Sequence, residues 1–120
     1  MSSLYEVIQR IKKRPSMYLG KRSISNLRAF LSGYILSRRE LGMAQTDQEK
    51  EFGEFPAWLQ KKFGINSTQA WDSIILFYCE DERDALEKFF NLFEEYLNRN
   101  NNTENEIDDD VSVETATISL

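Results

Sequence analysis

Apolar side chains return every three or four residues through most of the first hundred positions, the period of helices that turn one face into a core. Leu4, Val7, Ile8 and Ile11 set that period first and predict a helix over Leu4–Lys13. Ser3 is its expected N-cap, with Glu6 three residues on as in a capping box. Arg10, Lys12 and Lys13 fall in the last turn, where cations suit the helix dipole, and Pro15 ends the helix by keeping Arg14 out of the helical region. Leu27, Phe30, Leu31, Tyr34 and Ile35 predict a second helix over 24–41, capped by Ser23 or Ser25 and stopped by Gly42. Gly33 lies inside it at a cost of about 1 kcal/mol relative to Ala. Two accounts stay open: a tolerated cost, or a close helix crossing at a residue without a side chain.

The polar segment 43–54 reads as a linker with one helical turn. Pro56 then suits the first position of a short helix over 56–63, ended by Gly64. Phe52, Phe55, Trp58, Leu59 and Phe63 crowd this stretch, as a satellite packing cluster or as an aromatic patch for a partner. A further helix is expected from after Ser67 to about Cys79, with Trp71, Ile74, Ile75 and Tyr78 on one face. Leu76 and Phe77 nearly complete its apolar circle, which predicts a central position. The run 74–78 also suits a buried strand by composition, but no second strand offers to pair with it. The last helix should cover 82–98, capped by Asp81, with Ala85, Leu86, Phe89, Phe90, Phe93, Tyr96 and Leu97 turned inward. The expectation is therefore an all-α, compact bundle of about five helices in a single domain, 1–99. The polar, acidic tail at 100–120 has too few large apolar groups to offset its ordering entropy and is expected to be disordered.

Between the first two helices lies Arg14-Pro15-Ser16-Met17-Tyr18-Leu19-Gly20, too apolar for a plain solvated loop. Arg14, Pro15, Met17, Tyr18, Leu19 and Gly20 are read as an ordered structural corner. Its Met17, Tyr18 and Leu19 are expected to insert into the core.

Charge divides the chain unevenly. Residues 1–42 carry nine basic side chains against two acidic, 43–99 six against twelve, and 100–120 none against six, for a net charge of −5. Basic early helices can thus neutralise acidic later ones, and what is left over forms the field a partner meets. The basic set Arg10, Lys12, Lys13, Arg14, Lys21 and Arg22, with Tyr18 among them, is the candidate surface for nucleic acid. The acidic remainder opposes a polyanion, so an internal charge complement is the preferred account.

The chain contains no histidine, which removes the commonest general acid and base, the Ser-His and Cys-His nucleophile pairs and the usual zinc ligands together. Cys79 is followed by three acids that oppose a reactive thiolate, and a buried, inert thiol is expected. A lone cysteine and no secretory pattern point to a reducing cytosol. No apolar run is long enough to span a membrane. Asp108, Asp109 and Asp110 lack the fixed geometry of a calcium loop, and the five glycines stand singly rather than in a phosphate-cradling loop. No catalytic residues, metal or cofactor are therefore expected, and the chain reads as a non-enzyme.

The corner resembles the R-P-G-M-Y-I-G segment near the N-terminus of the DNA gyrase B subunit, over about ten residues, with Ser16 and Leu19 as the departures. The magnesium and adenine motifs of that ATPase do not follow, so no ATP binding is implied. A broader resemblance, over residues 3–98, is to small bacterial proteins sharing the frame R-P-x-M-Y-L-G, a helix like 27–34, a Trp-led apolar helix like 71–78 and a Phe-rich last helix. Some of these are similar to immunity proteins, which bind and neutralise a partner toxin. That resemblance implies a protein partner but no toxin class; the acidic C-terminal half is what suits a basic toxin as that partner. The acidic rims Asp47, Glu49, Glu51, Glu54 and Glu80, Asp81, Glu82, Asp84, Glu87 are the candidate binding residues. The alternative is a small nucleic-acid-associated regulator working through the basic N-terminal region.

Overall fold

Ser3 Oγ accepts a hydrogen bond from the Glu6 amide at 3.3 Å and opens α1 (Leu4–Lys13). Leu4, Ile8 and Ile11 follow one another along its buried side. Residues 3–100 are described by the structure, a computed structural model, and the expected tail lies, apart from Asn100, outside them. Seven helices occur among the described residues, and no strand.

Pro15 does more than end α1: it occupies the first turn of a second, five-residue helix, α2 (Pro15–Leu19), where its missing N–H is no loss. Gly20, at φ 81°, closes α2, and the Asn26 side-chain amide donates to the Leu19 carbonyl at 2.9 Å. The corner is ordered, as its composition predicts, but only part of it enters the core. Leu19 is buried and Tyr18 is half-buried with its edge toward Phe30, whereas Met17 is 61% exposed. Two residues on a helix are about 200° apart, so a buried Leu19 turns Met17 outward.

Ser23 caps α3 (Ile24–Glu40), accepting from the Asn26 amide at 3.1 Å. Gly42, at φ 72°, ends it, with the Gly42 amide on the Arg39 carbonyl and the Met43 amide on the Arg38 carbonyl, both at 3.0 Å. This is the paired 5→2 and 6→1 closure that favours glycine after a helix. A Cβ built on Gly33 would meet nothing within 4 Å, so no helix crosses closely there and the glycine is a tolerated cost.

The linker expectation understates residues 43–54. Thr46 and Glu49 complete a reciprocal capping box, and α4 (Asp47–Gly53) runs two turns to seat Phe52 in the core. After it come α5 (Phe55–Phe63), α6 (Trp71–Phe77) and α7 (Glu82–Leu97). Asp81 caps α7 as expected. Ser67 does not cap α6: its hydroxyl accepts from the Gln69 amide in a local turn, and the helix begins only at Trp71.

The long α7 receives α3, α5 and α6 along its length, while α1 lies against α2 and α4. Phe52, Phe55 and Leu59 belong to the main core rather than to a satellite. Phe55 is fully buried, with the rings of Phe52, Trp58, Trp71, Phe89, Phe93 and Tyr96 centred 5.2 to 6.2 Å away. Four helices therefore share one aromatic centre.

Candidate functional site

The nine acidic candidates divide by whether the fold already engages their carboxylates. Glu49 is buried, bound by Arg38 Nε at 2.5 Å and by the Thr46 amide at 3.1 Å. Glu51 accepts the Tyr5 hydroxyl at 2.5 Å and faces Arg99 at 3.3 Å. Glu82 accepts from the Ser23 hydroxyl at 2.7 Å, the Ser25 amide at 2.9 Å and the Ser25 hydroxyl at 2.8 Å. Asp81 caps α7, and Asp84 takes the Glu80 amide at 3.0 Å. These five carboxylates hold the fold together. Asp47, Glu54, Glu80 and Glu87 are exposed, and no side-chain bond engages them among the described residues.

Glu82 ties the start of α7 to the start of α3, two helix ends rich in unpaired amides. Burial alone would push its carboxyl up. The bonds from Ser25 and Ser23, aided by Lys21, outweigh burial and hold it below the ordinary 4.5. A depressed carboxyl stabilises the fold above the unfolded-state value and loses that contribution as pH falls through the folded one. Glu82→Gln should therefore be less stable than the parent at pH 7 by about 2 kcal/mol. The gap should narrow below pH 4.5, measured as urea midpoints across an acid series.

Tyr5 joins α1 to α4 and α7. Its amide donates to Gln48 at 3.0 Å and its ring lies edge-on to Phe93 at 5.2 Å. Arg99 closes the group, with its guanidinium carbon 3.8 Å from the centre of the Tyr96 ring. Burial, then the bond to Glu51 and its charge, raise the Tyr5 phenol well above the ordinary 10.0. A raised phenol contributes stability in full below the unfolded value and loses it as pH rises beyond. Tyr5→Phe should cost about 1–2 kcal/mol at neutral pH. The parent should lose that advantage above pH 10, read from thermal midpoints at alkaline pH.

The basic candidates behave differently. Arg10, Lys12, Lys13, Arg14, Lys21 and Arg22 are all exposed. Lys12 lies 3.9 Å from Glu94 of α7, and Arg28 of α3 lies 3.4 Å from the buried Asp72 of α6, so the internal charge complement exists in part. Arg10, Lys13, Arg14 and Arg22 have no ion-pair partner among the described residues.

The feature that sequence reasoning missed stands at the end of α6. Phe77 is 79% exposed, and Tyr78 is 46% exposed while stacking on Phe63 at 4.6 Å. The two rings meet edge to face at 5.1 Å. Beneath them a cleft of 220 Å³ is lined by Ile65, Ser67, Gln69 and Ile74. The helix is apolar but not central all round: Trp71, Ile74 and Ile75 face the core, and Phe77 comes out beside the exposed Ser73. Ser73 was the available signal, since a residue four positions on shares its side of a helix. Glu80 and Asp81 follow directly, so the exposed rings sit at the edge of negative charge.

Cys79 is half-buried. Burial first, then Asp84 and Asp81, raise its thiol above the ordinary value, the direction expected of an inert cysteine. Among the described residues no group of three or more metal-ligating side chains converges, and no helix is long and apolar enough to cross a membrane. No family model, curated protein or solved structure matches the chain.

Proposed function

We propose that this is a non-catalytic binding protein of the immunity or inhibitor type, which neutralises a partner protein by covering it. The exposed pair Phe77 and Tyr78 carries the reading. A phenyl ring in water forgoes about 1.5–3 kcal/mol that burial would return, and a partner can supply that burial. Aromatic anchors inside a polar rim are the usual centres of binding energy at protein interfaces. The neighbouring Glu80 and Asp81 give the rim negative charge, which favours a basic partner and speeds its approach at low salt. The histidine-free sequence supports the same reading, because masking another protein needs surface and field rather than a nucleophile.

A toxin gene adjacent to this one is expected, and co-expression with that toxin tests the proposal. The parent chain should restore growth and co-purify with that toxin, and Glu80→Lys should weaken the complex most at low salt. Absence of rescue, or rescue untouched by both Glu80→Lys and Phe77→Asp, would overturn it.

A further inference from the structure

A second concave surface lies where the end of α1, the start of α2, the loop before α3 and the first half of α7 meet. Its volume is 370 Å³, and Lys12, Lys13, Arg22 and Arg83 stand around it. Leu86 and Phe90, both buried, form its floor beside Pro15, and Asn91 adds an amide at the edge. The one acid in the lining is Glu87. Acidic residues outnumber basic ones twenty to fifteen in this chain, so four cations around a single carboxylate run against its composition. Four cations elsewhere are paired, Arg38 with Glu49, Arg99 with Glu51, Arg28 with Asp72 and Lys62 with Glu95, and of the groove's own four Lys12 lies 3.9 Å from Glu94. Lys13, Arg22 and Arg83 have no ion-pair partner among the described residues. Gathering four cations with only Glu87 and the Glu94 partner of Lys12 to offset them is unfavourable, and a bound anion relieves it.

We propose that this groove binds an acidic peptide segment of a partner protein, with apolar side chains flanking the carboxylates. The cations select the carboxylates, and Pro15 with the stems of Lys12 and Lys13, backed by Leu86 and Phe90, takes the flanking side chains. A bare inorganic anion would leave that apolar surface wet, so the ligand is amphipathic. The volume suits a few side chains rather than a long chain. Nucleic acid fits less well, because Glu87 sits among the cations and, among the described residues, no aromatic ring is exposed in the groove for a base to stack on. The surface is separate from the Phe77 patch, and it recognises the opposite charge.

The test is fluorescence anisotropy on the full chain with three labelled probes at low and moderate salt. They are a peptide of four glutamates flanked by leucine and phenylalanine, the same peptide with serine flanks, and a thymidine oligonucleotide. The apolar-flanked peptide should bind most tightly, and the double variant Arg22→Glu with Arg83→Glu should weaken it at least about tenfold. Both substituted side chains are exposed, so helical content and the unfolding midpoint should hold, which separates lost binding from lost folding. Phe77→Asp should leave this binding unchanged, so failure of the proposed function and failure of this site are distinguishable. Equal affinity for the serine-flanked peptide, tighter binding of the oligonucleotide, no binding at low salt, or indifference to the double variant would each overturn the proposal.

Discussion

Replacing Phe55 with alanine should lower the unfolding free energy by about 4 kcal/mol, near the upper end for a core truncation. The ring is fully buried and touches aromatic side chains from α4, α5, α6 and α7. Removing it opens a cavity whose walls belong to four separate helices, each fixed by its own further contacts, so collapse into the space is limited. Stacked and edge-to-face pairs add about 0.5–1.5 kcal/mol each beyond area burial, and all six ring contacts at Phe55 are of these kinds, Phe52 and Trp58 stacked and Trp71, Phe89, Phe93 and Tyr96 T-shaped. For a domain near one hundred residues the loss corresponds to a fall in thermal midpoint of about 20 °C. Circular dichroism melts would read it directly. A shift of a few degrees would mean that the aromatic centre is looser than described. Phe55→Leu, which keeps most of the volume, should recover more than half of the loss.

The second large effect belongs to the Arg38 and Glu49 pair. Their side chains are only 12% and 6% exposed, and the guanidinium also donates to the Ala44 carbonyl at 3.1 Å. Glu49 serves twice, since its other oxygen closes the α4 capping box on the Thr46 amide. Together they fasten the end of α3 to the start of α4 across the turn at Gly42. Glu49→Ala should cost about 3–5 kcal/mol, because it strands a nearly buried cation and opens the cap at once. Arg38→Met should cost a similar amount by stranding the carboxylate. The double variant Arg38→Met with Glu49→Leu should be closer to the parent than either single change, since neither charge is then left buried alone. Chemical denaturation of the four proteins completes the cycle. Additive losses would show that the two side chains do not act as a pair.

Helix positions were legible wherever the chain carried both a period and a boundary signal. Ser3 and Pro15 bracket α1, Ser23 and Gly42 bracket α3, and Asp81 opens α7, and all three helices lie where those residues place them. The elements read less well were short ones whose evidence lay in tertiary contacts. The helix α4 is held by Phe52 against Trp71 and Phe93, distant in sequence, and by Glu49 on Arg38 eleven residues earlier. In α2 the Pro-Gly corner announced order without revealing that a single helical turn would point Met17 at solvent.

The candidate site was harder to read, for a reason general to charged surfaces. A sequence shows that Glu49, Glu51 and Glu82 are acidic, not that Arg38, Tyr5 and the Ser23 and Ser25 hydroxyls already hold them. Acid content therefore does not separate the carboxylates that the fold engages from those it leaves open. Apolar content marked too few, because the ring of Phe77 counts toward a core by type and away from it by angle.

The most direct test of the account is the effect of Phe77→Asp on two quantities measured together, the unfolding free energy and the proposed neutralisation of a partner. The side chain is 79% exposed, so stability should stay within about 0.5 kcal/mol of the parent while neutralisation is lost. A variant that is strongly destabilised, or one that neutralises as well as the parent, would contradict the claim that this ring is held outside the core to meet another protein.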